Sequence, residues 1–282
     1  MSKNIVSVDW VKENLNQPGL HIVDCRYELA DPRAGRMAYD EGHIPGAHFF
    51  DMKKDLSGPV QEHGGRHPLP DIERFVARLE QVGIDNQSTV VVYDDQAGGM
   101  ASRLWWLLKY VGHDKVFLMD EGFSKWKAKG YPVTREVPGE LPASARKSYT
   151  VNLQQKMLAS MEEVRNSLGK EGIVLIDARE EKRYLGVEEP IDPIAGHIPG
   201  AINHFWKDGL NEDGSWKSIE EQKRRFQDMD PEAEIIVYCG SGISACPNVI
   251  ALQEAGFTKV KLYAGSWSDW ITYPDNPIAK KK

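Results

Sequence analysis

Of the side chains in this sequence that can act as nucleophiles, Cys239 has the most suggestive surroundings. Ile235-Ile236-Val237-Tyr238 is an apolar run without polar alternation, and it leads into Cys239-Gly240-Ser241-Gly242-Ile243-Ser244-Ala245. Such a run predicts a strand covered on both faces, and residues Cys246 to Ala255 predict the helix that follows it. Cys239 then stands at the carboxyl end of a buried strand, where open α/β sheets bind their ligands. Gly240 and Gly242 let the chain curl so that the amides of Gly240, Ser241, Gly242, Ile243 and Ser244 converge as an anion cradle. The helix after the loop adds its N-terminal dipole. Both effects favour thiolate over thiol and lower the pKa from its ordinary value of about 8.5. A persulfide or a sulfonate would suit the same cradle. A cysteine without such glycines reads as a small buried hydrophobe, which is the reading adopted for Cys25 and Cys246.

The elements that must hold this loop occur twice. Gly-His-Ile-Pro-Gly-Ala stands at 42–47 and again at 196–201, and Ile22-Val23-Asp24-Cys25-Arg26 answers to Leu175-Ile176-Asp177-Ala178-Arg179. Val91-Val92-Tyr93-Asp94 answers to Ile236-Val237-Tyr238-Cys239, and Phe123-Ser124-Lys125-Trp126 to Trp267-Ser268-Asp269-Trp270. Matches in the same order mark a duplicated unit. Each half alternates amphipathic helical stretches (8–15, 72–82 and 102–111; 160–168, 219–229 and 246–255) with short apolar strands. That alternation predicts two similar α/β domains, doubly wound around central parallel sheets. We place the first at 1–136 and the second at 151–282. Residues 137–150, rich in Pro and small side chains, form the joint, and the active site is expected in the cleft between the domains. The first half carries Asp94 where the second has Cys239, so one active site is expected.

Features shared by both halves are assigned to structure. They include His43 and His197 in the Gly-His-Ile-Pro-Gly turns, and the pairs Asp24/Arg26 and Asp177/Arg179. Trp105, Trp106, Trp267 and Trp270 are read as core or interface fillers.

Bulk properties narrow the function further. The chain has 282 residues, 41% of them hydrophobic, and a formal net charge of −7, which argues against nucleic acid or an anionic membrane as partner. Its apolar runs are strand-sized, too short to span a bilayer. Its first residues lack the apolar core of an export signal, so the expected location is cytoplasmic. The three cysteines have neither disulfide-framework nor metal-ligand spacing, so no metal site is expected. Gly240-Ser241-Gly242 lacks the third glycine of a dinucleotide fingerprint, and no organic cofactor is called for. Lys280-Lys281-Lys282 reads as a solvated tail.

In combination, the duplicated Gly-His-Ile-Pro-Gly-Ala, the Cys-Gly-Ser-Gly-Ile-Ser-Ala loop and Gly265-Ser266-Trp267-Ser268-Asp269-Trp270 resemble the tandem-domain rhodanese-like sulfurtransferases. These are the thiosulfate and 3-mercaptopyruvate enzymes. The resemblance implies a ping-pong cycle in which the thiolate takes a sulfane sulfur from a small anionic donor and forms a persulfide. The sulfur then passes to a thiophilic acceptor such as cyanide, a low-molecular-weight thiol or a thioredoxin-like protein. The resemblance also implies a proton relay of Ser241, His67 of His67-Pro68-Leu69-Pro70, and an acid for which Asp51 and Asp55 are the candidates. Arg183 matches the family's substrate-anion arginine. Mercaptopyruvate enzymes usually present a second arginine nine residues on, and this chain has Asp192. The donor therefore stays open between thiosulfate and 3-mercaptopyruvate.

Two other functions share parts of this pattern. A cysteine-dependent phosphatase or arsenate reductase would need an oxyanion-binding arginine at the end of the cysteine loop, where Ala245 and Cys246 stand. A non-catalytic rhodanese-type binding module would not need the thiol at all.

Overall fold

The computed structural model describes residues 2–280; Lys281 and Lys282 of the predicted tail lie outside them. The chain divides into two units. Among the described residues, the first comprises 2–58, 70–154 and 214–216, and the second comprises 59–69, 155–213 and 217–280. The exchange of short segments could not be read from the repeat. Residues 59–69 fall within the first half of the sequence, yet they pack with the second unit.

The first unit runs β1 (Ile5–Val6), α1 (Val8–Asn14), β2 (Leu20–Asp24), α2 (Ala34–Glu41), β3 (His48–Phe49), α3 (Ile72–Gln81), β4 (Thr89–Tyr93), α4 (Ala101–Tyr110), β5 (Val116–Met119) and α5 (Gly122–Ala128). Its strands form a parallel sheet in the order β1-β5-β4-β2-β3. The second runs α6 (Met161–Ser167), β6 (Ile173–Asp177), α7 (Glu181–Tyr184), β7 (Ile202–Asn203), α8 (Ile219–Arg225), β8 (Glu234–Tyr238), α9 (Cys246–Ala255), β9 (Val260–Leu262) and α10 (Ser266–Trp270). Its parallel sheet has the order β7-β6-β8-β9. Each is an α/β domain with a central parallel sheet flanked by helices.

Local chemistry starts the helices where the sequence pattern placed them. Ser7 caps α1 by accepting the Trp10 N–H, and Ser160 caps α6 by accepting that of Glu163. Ser218 and Glu221 close a reciprocal capping box on α8. This helix stops at Arg225, short of the predicted Met229. Phe226 and Met229 are both buried, and the Met229 N–H donates to the Phe226 carbonyl in a turn.

The two cores are built from equivalent residues. Ile22, Ile44, Ala47, Val91, Tyr93, Phe123 and Trp126 cluster in the first, and Leu175, Ile198, Ala201, Ile236, Tyr238, Trp267 and Trp270 in the second. His43 bonds the Tyr39 carbonyl through Nδ1 at 2.8 Å and stacks on the Tyr39 ring. His197 does the same with Tyr184, at 2.7 Å. Arg26 forks onto Asp24 and the Gly42 carbonyl, while Arg179 forks onto Asp177 and the Gly196 carbonyl. These bonds tie the strand end to the Gly-His-Ile-Pro-Gly turn in each domain.

Residues of the predicted joint are tied to the first unit. Leu141 N–H donates to the Gln81 carbonyl and Tyr149 N–H to Glu80; Asn152 and Gln154, just beyond the predicted joint, bond the Val111 and Tyr110 carbonyls and belong to the first unit as well.

Candidate active site

Strand β8 ends at Tyr238, and the backbone around the next residue is pinned to the first turn of α10. The Cys239 N–H donates to Ser266 Oγ at 3.1 Å. Its carbonyl accepts the Trp267 N–H at 3.0 Å, and the Gly240 carbonyl accepts the Ser268 N–H at 2.9 Å. Ser266 adopts φ +57°, a left-handed conformation that costs a non-glycine residue energy and that clusters at functional sites. Gly242 adopts φ +76°, and a Cβ there would lie 2.1 Å from the Ala264 carbonyl oxygen, so no side chain fits. The result is a loop that turns the Gly242 N–H onto Cys239 Sγ at 3.2 Å. Cys239 itself is 1% exposed, and Ile243 and Ser241 are buried around it, with Ser244 half-buried.

His67 Nδ1 and Ser241 Oγ share a hydrogen bond of 2.9 Å, with both residues buried. The segment that brings His67 here is strapped onto α10. Gly64 N–H donates to Asp269 Oδ1 at 2.7 Å, and Arg66 N–H donates to Ser268 Oγ at 3.1 Å. His63 bonds Thr272 Oγ1 at 2.8 Å and stacks on Tyr273. Gly65, at φ +77°, approaches so closely that a Cβ would sit 2.4 Å from the Gly265 carbonyl oxygen. Asp269 is fixed in turn by the Tyr263 hydroxyl, which donates to Oδ2 at 2.6 Å. The helix that pins the Cys239 backbone thus also anchors the strap carrying His67.

Arg183, on α7, belongs to a charged cluster. Its Nη2 pairs with Glu189 Oε1 at 2.7 Å and with Asp192 Oδ2 at 3.2 Å. Glu189 also binds Arg179 Nη1 at 3.1 Å, and its Oε1 accepts the N–H groups of Ile191 and Asp192. The other Asp192 oxygen is bound by Nη1 of Arg66. Arg66 was not singled out in the sequence. The signal available was its place directly before His67 and after two glycines, in Gly64-Gly65-Arg66-His67. Burial pulls its pKa below the usual guanidinium value and Arg183 adds to this, while the Cys239 sulfur and Glu189 oppose it. Both arginines close over the residue after the thiol: a Cβ at Gly240 would lie 3.0 Å from Arg66 Nη2 and 3.4 Å from Arg183 Nη2.

Asp51 and Asp55, the candidate acids, both lie in the first unit. Asp51 Oδ1 accepts the N–H groups of Lys53 and Lys54, both at 2.9 Å. Asp55 Oδ2 accepts the Asp51 N–H at 2.7 Å and its other oxygen lies 3.7 Å from Arg78 Nε. Burial pushes the Asp55 carboxyl above the ordinary carboxylate range. Cys25 and Cys246 are buried; the Cys246 thiol donates to the Gly242 carbonyl at 3.4 Å. Burial and the neighbouring Asp24 carboxylate push the Cys25 thiol up, away from reactivity.

With this geometry in place, comparison with known proteins gives the family. The rhodanese-like domain profile matches residues 7–129 and again 160–273. The chain belongs to the rhodanese family. It is 42% identical to a probable 3-mercaptopyruvate sulfurtransferase of Pseudomonas aeruginosa, over 99% of this chain and 98% of that protein. It is 34% identical to the thiosulfate sulfurtransferase of Cricetulus griseus, covering 95% of this chain and 91% of the other. Among solved structures it superposes on SseA of Escherichia coli, of the 3-mercaptopyruvate sulfotransferases, with a TM-score of 0.79 and 28% identity. That match covers 95% of this chain and all of the other. Among the described residues, no helix is long and apolar enough to cross a membrane.

Proposed function

We propose that this chain is a sulfurtransferase that carries a sulfane sulfur on Cys239 as a persulfide, taken from 3-mercaptopyruvate or thiosulfate and given to a thiophilic acceptor. The observation that carries the reading is the Gly242 N–H turned onto Cys239 Sγ at 3.2 Å, beside the Ser241–His67 hydrogen bond of 2.9 Å.

In the first half-reaction the Cys239 thiolate attacks the donor's sulfur and an S–S bond forms. With thiosulfate the donor's own S–S bond breaks and sulfite leaves with the electron pair. With 3-mercaptopyruvate the C–S bond breaks, and the pair goes to carbon as the enolate of pyruvate. In the second half-reaction the acceptor attacks the outer sulfur and the Cys239 thiolate is regenerated. The amide of Gly242 stabilises negative charge on Cys239 Sγ in the resting thiolate and as the thiolate re-forms when the outer sulfur leaves.

The two leaving groups differ in their need for a proton. Sulfite departs as a stable anion, whereas the enolate must be protonated at carbon to become pyruvate. Ser241 and His67 form a pair suited to general acid–base work of that kind, and we propose both as members of the proton relay, with Asp51 or Asp55 as the candidate acid. Arg183 orients the donor anion. A reducing cytoplasm is the setting that would keep Cys239 available as a free thiol.

The test is mass spectrometry after incubation with each donor. The expected result is a gain of one sulfur on Cys239 that disappears in Cys239→Ser. If neither donor adds sulfur to the unsubstituted protein, the reading fails.

A further inference from the structure

Two guanidinium groups from distant parts of the chain meet over the residue that follows Cys239, and a single carboxylate joins them. Arg66 comes from the strap at 59–69 and Arg183 from α7. One oxygen of Asp192 takes Nη1 of Arg66, and the other lies 3.2 Å from Nη2 of Arg183. The Asp192 side chain is 2% exposed, while those of Arg66 and Arg183 are 31% and 16% exposed. The carboxylate is therefore sealed beneath, and the two cations face partly outward above Gly240.

We propose that Arg66 and Arg183 together form the clamp for the donor's anionic group, and that Asp192 is the bracket that holds them in register and sets which anion they accept. The proposal rests on the sulfurtransferase reading above. A planar guanidinium presents paired donors to a carboxylate, and a carboxylate bridging two of them fixes their spacing without using every N–H. Asp192 thus does not deprive the site of a cation. Instead it recruits one from the strap that also carries His67, so anion binding and the Ser241–His67 pair depend on the same segment.

The charges also favour one class of donor. Arg66 and Arg183 contribute two positive charges, and Asp192 and Glu189 cancel them. Arg179, which also binds Glu189, is matched by Asp177. A clamp without net positive charge gains little from the second charge of a dianion, whose desolvation it must still offset. A carboxylate carrying one charge, with a keto oxygen beside it to take a further N–H, fits the clamp better. The geometry therefore favours an α-keto carboxylate thiol such as 3-mercaptopyruvate over thiosulfate.

Steady-state kinetics with both donors on the full chain test this. Arg66→Gln is expected to raise KM for 3-mercaptopyruvate about tenfold while kcat changes less than about twofold, the pattern of lost ground-state pairing. Arg66→Lys, which keeps the charge but not the fork, is expected to fall between the two. Asp192→Asn is expected to raise the ratio of kcat/KM for thiosulfate to that for 3-mercaptopyruvate about fivefold, by removing one negative charge beside the anion. As a readout independent of turnover, pyruvate should protect Cys239 from alkylation by iodoacetamide at several-fold higher concentration in Arg66→Gln than in the unsubstituted protein. An unchanged KM and unchanged protection in Arg66→Gln would overturn the clamp, and an unchanged donor ratio in Asp192→Asn would overturn the role of the bracket. Either could occur with normal sulfur loading of Cys239, and would then leave the sulfurtransferase reading standing. Absence of loading in the unsubstituted protein would remove both.

Discussion

The loops after β4 and β8 are the same piece of architecture holding different chemistry. Each leaves the carboxyl end of the strand after a buried tyrosine, and each runs for seven residues before a helix starts at Ala101 or Cys246. Both are pinned alike: the Asp94 carbonyl accepts the Phe123 N–H at 2.9 Å, as the Cys239 carbonyl accepts that of Trp267 at 3.0 Å. Both turn through a left-handed residue at the same place, Ala97 at φ +55° and Gly242 at φ +76°. In the first loop the Asp94 carboxylate fills the cradle. Oδ1 accepts the N–H groups of Gln96 and Gly98, and Oδ2 those of Met100 and Ala101, all within 2.7–2.9 Å. Burial pushes that carboxyl up, and the four amides pull it back down. In the second loop the same place holds a sulfur. The frame of the loop is thus common to both units, while its occupant is held differently: four amides close on the Asp94 carboxylate as a structural plug, and the Gly242 N–H, the counterpart of that of Ala97, turns onto the Cys239 sulfur.

The strongest way to break this comparison is to exchange the occupants. Cys239→Ala should abolish sulfur transfer, leaving less than about a thousandth of the activity. Adding Asp94→Cys to it should not restore transfer. The residue two after position 94 is Gln96, whose amide is committed to the Tyr27 carbonyl at 2.7 Å, whereas Ser241 meets His67. Persulfide formation at position 94, detected by mass spectrometry, would show that the cradle alone suffices. On its own, Asp94→Ala is expected to leave kcat per folded molecule within about twofold but to cost roughly 3 kcal/mol of stability, since four N–H groups, buried at Gly98 and Ala101 and half-buried at Gln96 and Met100, lose their acceptor. Chemical denaturation would measure this, and a loss under about 1 kcal/mol would contradict the plug assignment.

Smaller changes sharpen it. Ser241→Ala should lower kcat for 3-mercaptopyruvate by roughly 10²-fold while changing that for thiosulfate little, because only the enolate needs a proton. Equal losses with both donors would place Ser241 outside the proton path. Gly240→Ala would press a methyl group to 3.0 Å from Arg66 Nη2, where a mobile side chain can give way. It should therefore raise the donor KM by only about threefold, and an unchanged KM would show that those guanidinium groups are not in use.

The smallest expected effect is common to both units. Burial pushes His48 in the first and His204 in the second from the ordinary 6.5 down to about 4. The unfolded chain binds these protons first, so the stability associated with both groups is present above pH 6.5 and is lost as pH falls through about 4. Melting temperatures measured across that range should fall toward acid, and less steeply in a His48→Asn, His204→Asn double variant. A slope unchanged in the double variant would exclude these histidines as its source.

The α/β class, the duplication, the parallel strands and most helix limits were legible in the residues, because they follow from period, capping and turn chemistry within a few positions of one another. So was the place of Cys239 at the end of a buried strand, since Gly242 and the strand before it lie in the same eleven-residue stretch. Ser241 and His67 were named through resemblance to a family, and nothing in their local sequence would have joined residues 174 positions apart. For Arg66 the local sequence offers only its place between two glycines and His67. A lone arginine in a loop reads as a surface charge until the docking of Gly64 on Asp269 and of Gly65 against Gly265 shows where it is carried. Local interactions wrote the two sheets and the thiol loop into the sequence. Which far-off side chains gather around that thiol was decided by tertiary packing, because a strap at 59–69 finds its partner through a few hydrogen bonds and two close glycine approaches that have no periodicity to announce them.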